Sequence, residues 1–509
     1  MASRTLWMVM FVFTLISSIG ICNHELWLDE AQHFLIARDS NSISDLYYNM
    51  RYDGHVRLWN VLLFFITHYI SANPMAMQLF HLIIICSCVF IFLRYAPFDT
   101  ITKILIIFGY YFIFEYNVVS RNYSLGILFL FITCTLIGSR NNKSLWISVL
   151  LALMCNTHLF FAFAATGIFI YIAYTKWQQK SFDLKFYVLA SIYCMAILGV
   201  VIQMRMPPDS TVFHPEKLRL YSVKQLYPAA YASAKGFLPV PISVKGNFWN
   251  HYYFDSLPRL LKAIVAIALF VYPFLLLRKS KSATLFYFCS FSLLLTFVCV
   301  TPIEASRYYG MVFIFFIAAA WLAGIKSQNI FSIEKIRMGH LKTKMFYGFF
   351  YCILIGNLFC GAYAFTNTVG RPFTDAKKAA QYIKTNNLDS EIVVVAGYWP
   401  GPPLSAYLGT KVFYINIDEQ GSYLYWKKSY FESTFRPLVQ QLSQSTYVAT
   451  KNQFLFVSGR PVPSSPIVSG NYIFQFTPLD SFTRAMLIPH YYIYRLNKKI
   501  NTISVSEKR

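Results

Sequence analysis

Residues 23–57, NHELWLDEAQHFLIARDSNSISDLYYNMRYDGHVR, decide how this chain is read. The stretch sets Glu25, Asp29, Glu30, Asp39, Asp45 and Asp53 against only Arg38, Arg51 and Arg57, within a sequence otherwise apolar enough to sit in lipid. A hydrophobic run, residues 5–22, precedes it and another, 57–72, follows. Ionisable groups are costly in hydrocarbon and are kept at its boundary for pairing or for function. Either these acids solvate an extramembrane turn, or this loop is where the chain does its chemistry.

Working outward, 56% of residues are hydrophobic, 18% aromatic and only 13% charged. A soluble protein could not hide the apolar runs, so the composition implies a polytopic α-helical membrane protein. Runs near 5–22, 76–93, 103–118, 123–138, 144–156, 158–175, 186–203, 260–277, 284–300, 307–324 and 345–366 suggest about eleven spans. The formal charge of +23 does not point to nucleic acid, because the basic residues are scattered between hydrophobic runs. They report orientation instead. Arg57, Asn60 and His68 suit a juxtamembrane helix over 57–72 better than a span. With that run excluded, the connectors carrying Arg94, Lys103, Arg140, Lys143, Lys176, Lys185 and Arg278 all fall on the cytoplasmic side, opposed there by few acids. The N-terminus is then cytoplasmic and the C-terminus extracytoplasmic. Residues 5–22 read as an uncleaved signal anchor, since Ile19-Gly20-Ile21 puts bulk where cleavage needs a small residue. The ten cysteines lie in or beside apolar runs and read as small buried hydrophobes, without disulfide or metal spacing.

Two further segments are polar. Residues 204–259 form a second large external loop, whose part 215–237 reads as an interfacial amphipathic helix and whose FWNHYYF, 248–254, reads as an aromatic anchor at the membrane surface. Lys217, Arg219 and Lys224 would draw anionic lipid to it. After 366 the pattern changes to alternating helices and strands: DAKKAAQYIKTNN, EIVVVAG, PPLSAYLG, KVFYINID, STFRPLVQQLSQ, QFLFVSG, YIFQFT and HYYIYRLN. Residues 367–509 thus form a small α/β extracytoplasmic domain beside a transmembrane domain of 1–366, in which 23–75 is the first external loop with its juxtamembrane helices.

The motifs that carry a resemblance are the Asp29-Glu30 pair just past the first span, His55 opening HVRLWNVLL, Arg121, Tyr123 and Leu125 in FEYNVVSRNYSLGILFLF (114–131), Thr157-His158 at a turn between two short spans, and Arg307-Tyr308 at the start of a late one. Together they resemble the GT-C class of membrane glycosyltransferases, of the protein mannosyltransferase and aminoarabinose transferase type, whose donors are polyprenyl-phosphate sugars. Two positions depart from that pattern. Val56 and Arg57 stand where relatives carry two prolines, and Val119 stands where a carboxylate is usual, leaving Glu115 as the nearest acid.

The resemblance implies an inverting transfer of sugar from a polyprenyl-phosphate carrier to a hydroxyl of a glycan, lipid or protein acceptor. Such a step needs a base for the acceptor proton and cations for the departing phosphate. Asp29 is the expected base, with Glu30 as competitor. His55, Arg57, Arg121, Tyr123, Arg307 and Tyr308 are the expected donor-phosphate ligands. Glu115 is either a second acid or the ion-pair partner of Arg121, His158 either lines the cavity or packs, and Arg307 has Glu304 nearby as a local partner. No cofactor is required on this reading, although Asp29 and Glu30 offer oxygen ligands for a divalent cation. Membrane lipids are expected partners, nucleic acid is not, and the bacterial inner membrane is the expected location. A lipid-linked sugar flippase would show pseudo-symmetric halves with broken helices, of which the sequence has no sign. A glycan polymerase remains the other alternative.

Overall fold

The structure is a computed structural model that describes residues 1–139, 143–211, 223–301, 305–325, 341–463, 465–469, 471–487 and 489–501. The first loop lies between α1 (Ser3–Asn23) and α5 (Pro74–Tyr95) and folds into α2 (Leu28–Asp39), α3 (Ile43–Asn49) and α4 (Leu58–Tyr69). Next come α6 (Thr100–Ile107), α7 (Tyr123–Ile137), α8 (Ser144–Thr157), α9 (Leu159–Gln178), α10 (Leu184–Gln203) and α11 (Val223–Phe237). The helical part closes with α12 (Arg259–Leu277), α13 (Lys281–Val300), α14 (Ser306–Gly324) and a long helix, Leu341–Gly370. Among the described residues, eight helices have the length and hydropathy to cross a bilayer: α1, α5, α9, α10, α12, α13, α14 and the Leu341–Gly370 helix. At ~1.5 Å of rise per residue, each reaches the ~30 Å of a hydrocarbon core or nearly so.

The chain is therefore a multi-pass membrane protein, and its burial pattern fits that setting. α14 is its central pillar, with nearly every residue from Tyr309 to Gly324 enclosed. By contrast α10 turns Leu184, Met195, Leu198, Val201 and Ile202 outward, as α12 does Leu260, Ile264 and Ile267. An apolar surface of this extent would be untenable in water.

Of the expected spans, two are short helices and one is broken. α7 and α8 have 15 and 14 residues, and the run 103–118 is not one helix. α6 ends at Ile107, and a π turn, Tyr111–Glu115, follows. The cause lies in the packing. The Leu341–Gly370 helix crosses so close at Gly361 that a Cβ there would stand 3.0 Å from the Gly109 carbonyl carbon and from the Tyr110 amide. The juxtamembrane run 57–72 forms α4, a 12-residue helix packed on α2. Of the expected interfacial helix over 215–237, residues 215–222 lie outside the described residues, as does Glu304. The described portion, α11, packs on α14.

The C-terminal part is a mixed seven-stranded sheet with strands β1 (Val394–Ala396), β2 (Val412–Tyr414), β3 (Glu419–Gly421), β4 (Gln453–Ser458), β5 (Ile467–Ser469), β6 (Tyr472–Phe482) and β7 (Tyr491–Ile500). Their order is β3-β2-β1-β4-β7-β6-β5, with β1 parallel to β2 and β4 and every other pairing antiparallel. β1 reaches β2 through the helix Gly401–Leu408, as a parallel connection requires. This part is bolted to the first loop. The Gln32 side-chain amide exchanges two hydrogen bonds with the Leu424 backbone, at 2.7 and 2.9 Å. The Tyr407 hydroxyl accepts from the Leu26 amide at 2.8 Å, and Glu25 accepts from the Lys377 amide at 3.2 Å.

Candidate active site

Asp29 sits in the first turn of α2, where the helix N-terminus favours a carboxylate. Its Oδ2 lies 3.0 Å from Arg121 Nη1 and 3.4 Å from Arg307 Nη2. The Arg307 contact is a long hydrogen bond. The Arg121 contact is an ion pair without hydrogen-bond alignment, so Arg121 Nε and Nη1 are buried donors with no acceptor among the described residues. Asp29 keeps 27% of its side-chain surface exposed, whereas Arg121 keeps 3% and Arg307 12%. Two enclosed guanidiniums thus face one accessible carboxylate.

The supports of the cluster come from four parts of the chain. Glu30, beside Asp29, is fully used: Oε2 takes His24 Nε2 at 2.7 Å and the Trp27 amide at 3.2 Å, and Oε1 accepts from the Ser120 amide at 2.6 Å. It therefore ties the first turn of α2 to the backbone just before Arg121. Its side chain is fully buried, which keeps it from a substrate. Arg307 lies against two indoles that pack edge to face on each other at 4.8 Å, with its guanidinium carbon 5.1 Å from the Trp27 ring and 5.7 Å from the Trp249 ring. Trp249 in turn donates from Nε1 to Glu115 Oε2 at 3.0 Å, and the Tyr110 hydroxyl donates to the same oxygen at 3.3 Å. Glu115 is thus no partner of Arg121; it stands behind Arg307 through the indole.

His55 donates from Nδ1 to the Asp53 carbonyl at 2.8 Å, and its Nε2 lies 3.4 Å from Arg121 Nη2. Since a guanidinium can only donate, Nε2 is the acceptor in that contact. It orients Arg121. His158 caps α9 by accepting from the Phe160 amide on Nδ1 at 3.1 Å, and its ring lies 4.6 Å from Tyr123 and 5.8 Å from His55. The Asn122 amide donates to the Thr157 carbonyl at 2.8 Å, which fixes the start of α7 against the end of α8. Tyr308 lies against Phe160 at 5.0 Å. Arg57 is not drawn into the cluster, because its guanidinium covers the Tyr47 ring at 4.5 Å.

Trp27, Trp249, His33 and Asp53 also belong here, and the sequence reading did not single them out. Trp249 falls in FWNHYYF, where aromatic residues suit a membrane surface equally well. His33 is four residues after Asp29 and so on the same face of α2, a spacing that could have flagged it. Burial drives the His33 imidazole down to about 3, so it is neutral at physiological pH. Burial opposes ionisation of Asp53, but the imidazoles of His33 and His55 and the Arg121 charge outweigh it and hold the carboxyl well below its usual range.

The described residues that could hold a metal are His33, Asp53 and His55, whose ligand atoms lie within 4.8 Å of one another. His33 Nδ1 is already bonded to Asn60 Oδ1 at 2.9 Å, and the Arg121 charge stands beside His55. Asp29 faces two guanidiniums, and Glu30 is bonded to His24 and to the Trp27 and Ser120 amides.

No family model matches the chain, and no curated protein matches it. Among solved structures, the crystal structure of ArnT from Cupriavidus metallidurans bound to undecaprenyl phosphate is similar to it, with 12% identity, a TM-score of 0.47, and coverage of 97% of this chain and 98% of that one.

Proposed function

We propose that this protein is an inverting glycosyltransferase of the GT-C class, which moves a sugar from a polyprenyl-phosphate carrier to a hydroxyl of a glycan, lipid or protein acceptor. The observation that carries the reading is the Asp29 carboxylate held against Arg121 and Arg307, with Arg121 Nε a buried donor that has no acceptor among the described residues. A phosphate monoester or diester entering there competes with Asp29 for both guanidiniums, which suit its oxygens as a fork. Its arrival frees Asp29. The carboxylate then takes the acceptor proton as the acceptor oxygen attacks the anomeric carbon. The bond from that carbon to the phosphate oxygen breaks on the opposite face, and polyprenyl phosphate leaves with the electron pair, its charge met by the two arginines. Tyr308 lies beside the Arg307 guanidinium at 5.3 Å, Tyr123 packs on His158 at 4.6 Å, His55 and Glu30 position Arg121, and no metal enters the step. The reaction faces the extracytoplasmic side, since the basic connectors at the other ends of the helices mark the cytoplasm, and the protein belongs in a bacterial inner membrane.

Purified and reconstituted with polyprenyl-phosphate sugar, the Asp29→Asn variant should fold and insert as wild type while losing transfer. Full transfer by that variant would remove the proposed base. Lipid extracts of cells lacking the protein should accumulate one polyprenyl-phosphate sugar, and mass spectrometry of those extracts identifies the donor.

A further inference from the structure

The C-terminal sheet holds a feature that the transfer reaction does not use. Beyond the carboxyl ends of β2 and of its connection to β3 lie two adjoining cavities, of about 250 Å³ and about 200 Å³, which have Ile417 and Tyr430 in common. The larger is lined by Asn416, Ser429, Arg436, Gln441 and Gln444. The smaller is lined by tyrosines, among them the half-buried Tyr423 and Tyr425, together with Lys411, Glu419 and Gln420.

The polar side chains there are set in fixed orientations. The Gln441 amide nitrogen donates to the Arg436 carbonyl at 2.7 Å, and a carbonyl can only accept. The Asn416 amide nitrogen donates to Ser433 Oγ at 3.1 Å, whose own proton goes to the Tyr430 carbonyl at 2.7 Å. In both residues the amide oxygen is therefore the free end, and both oxygens are buried without a donor among the described residues. Buried acceptors left bare are costly, so a donor is called for. The charges around the cavities are mixed, with Lys411 and Arg436 against Asp418 and Glu419, which disfavours a polyanion. Aromatic faces next to side-chain amides, hydroxyls and one exposed guanidinium suit a ring that is apolar on its C–H face and rich in hydroxyl donors at its rim.

The wall of the groove also rests on the first loop. The Tyr425 hydroxyl donates to Asn49 in the first loop at 2.8 Å, and Arg51 covers the Tyr425 ring at 5.0 Å. Leu424, in the wall of the smaller cavity, is the residue that Gln32 grips from α2, one helical turn after Asp29.

We propose that these two cavities form a saccharide-binding groove, in which two or three sugar units stack on Tyr430 and Tyr425 and donate hydroxyls to Asn416 and Gln441. The groove rests on the glycosyltransferase reading only for its purpose, which is to hold a glycan acceptor with its end towards α2.

Binding is read without donor lipid, so its failure and a failure of transfer are separate results. The fluorescently labelled full chain, in detergent, is applied to an array of neutral and acidic oligosaccharides, and the strongest glycan is then titrated by microscale thermophoresis. The expected result is a saturable glycan whose affinity falls at least tenfold in Tyr430→Ala and in Arg436→Ala and is kept in Tyr430→Phe, which retains the stacking face. Arg436 is exposed at the mouth, so its variant keeps the test decisive if Tyr430→Ala fails to fold. An array with no glycan above a detergent control, or a glycan whose affinity neither Tyr430→Ala nor Arg436→Ala weakens, overturns the groove.

Discussion

Arg307 shows how much of this site depends on side-chain shape beyond charge. Its guanidinium lies against two indoles and bonds Asp29 from one edge. A lysine there keeps the charge but loses the fork and the stacking. Arg307→Lys should therefore lower kcat/KM for the lipid-linked donor roughly 10- to 100-fold with little change in fold, as steady-state transfer assays would show. Glu25 gives a pH-dependent counterpart outside the cluster. Burial is the main force on its carboxyl, with the Asp375 charge adding to it and the Lys377 amide opposing, and the result is a rise from 4.5 to about 7. An acid raised on folding binds more protons folded than unfolded between those values, so stability falls as pH climbs through that window. The difference is worth roughly 3 kcal/mol at its limit. Thermal melts of the wild-type protein should be higher at pH 5.5 than at pH 8, and Glu25→Gln should flatten the profile. A variant with the same slope as wild type would place the pH dependence elsewhere. At this scale the sequence spoke through contrast: Asp29, Arg121 and Arg307 stand out because their surroundings are apolar. Trp27 and Trp249 did not stand out, since one more aromatic residue in a chain that is 18% aromatic carries no signal of its own.

Among the elements, α14 and α7 are positioned by two glycines that admit no side chain. A Cβ on Gly310 would come 2.3 Å from the Tyr111 ring and 2.6 Å from the Tyr116 hydroxyl, and one on Gly126 would enter the Phe161 ring at 2.1 Å. The Tyr116 hydroxyl also donates to the Arg307 carbonyl at 2.8 Å, so Gly310 sets the distance between the π turn and the arginine it supports. Gly310→Ala should destabilise the fold by about 1–3 kcal/mol and depress transfer with it, as melting temperature and activity measured on one preparation would show. An unchanged melt would mean that the tyrosines yield at no cost. Helices and strands after residue 366 were readable because their apolar residues recur at helical or alternating spacing. The break in 103–118 was not. Gly109 in an apolar run is compatible with a continuous helix, and only the approach of the distant Gly361 makes that continuity costly.

Over the whole molecule, the helical part and the sheet meet through the first loop, by way of Glu25, Leu26, Gln32, Asp39 and Asn49. Ending the chain at residue 370 would strip partners from all five and uncover the α2 face that the helix Gly401–Leu408 covers. The truncated protein should insert but lose most transfer and melt lower, and retention of wild-type turnover would show that α2 holds its place unaided. The order of the sheet was beyond the reach of sequence, since short strands give no sign of which neighbour each will choose. The contact of Arg307 with both Trp27 and Trp249 has one more consequence. Indole emission responds to a nearby cation, so a ligand that pulls the guanidinium away should change the fluorescence of these two residues. The protein thus carries a built-in optical gauge of occupancy, readable before any product is made as the part of a titration signal that Trp27→Phe and Trp249→Phe each remove.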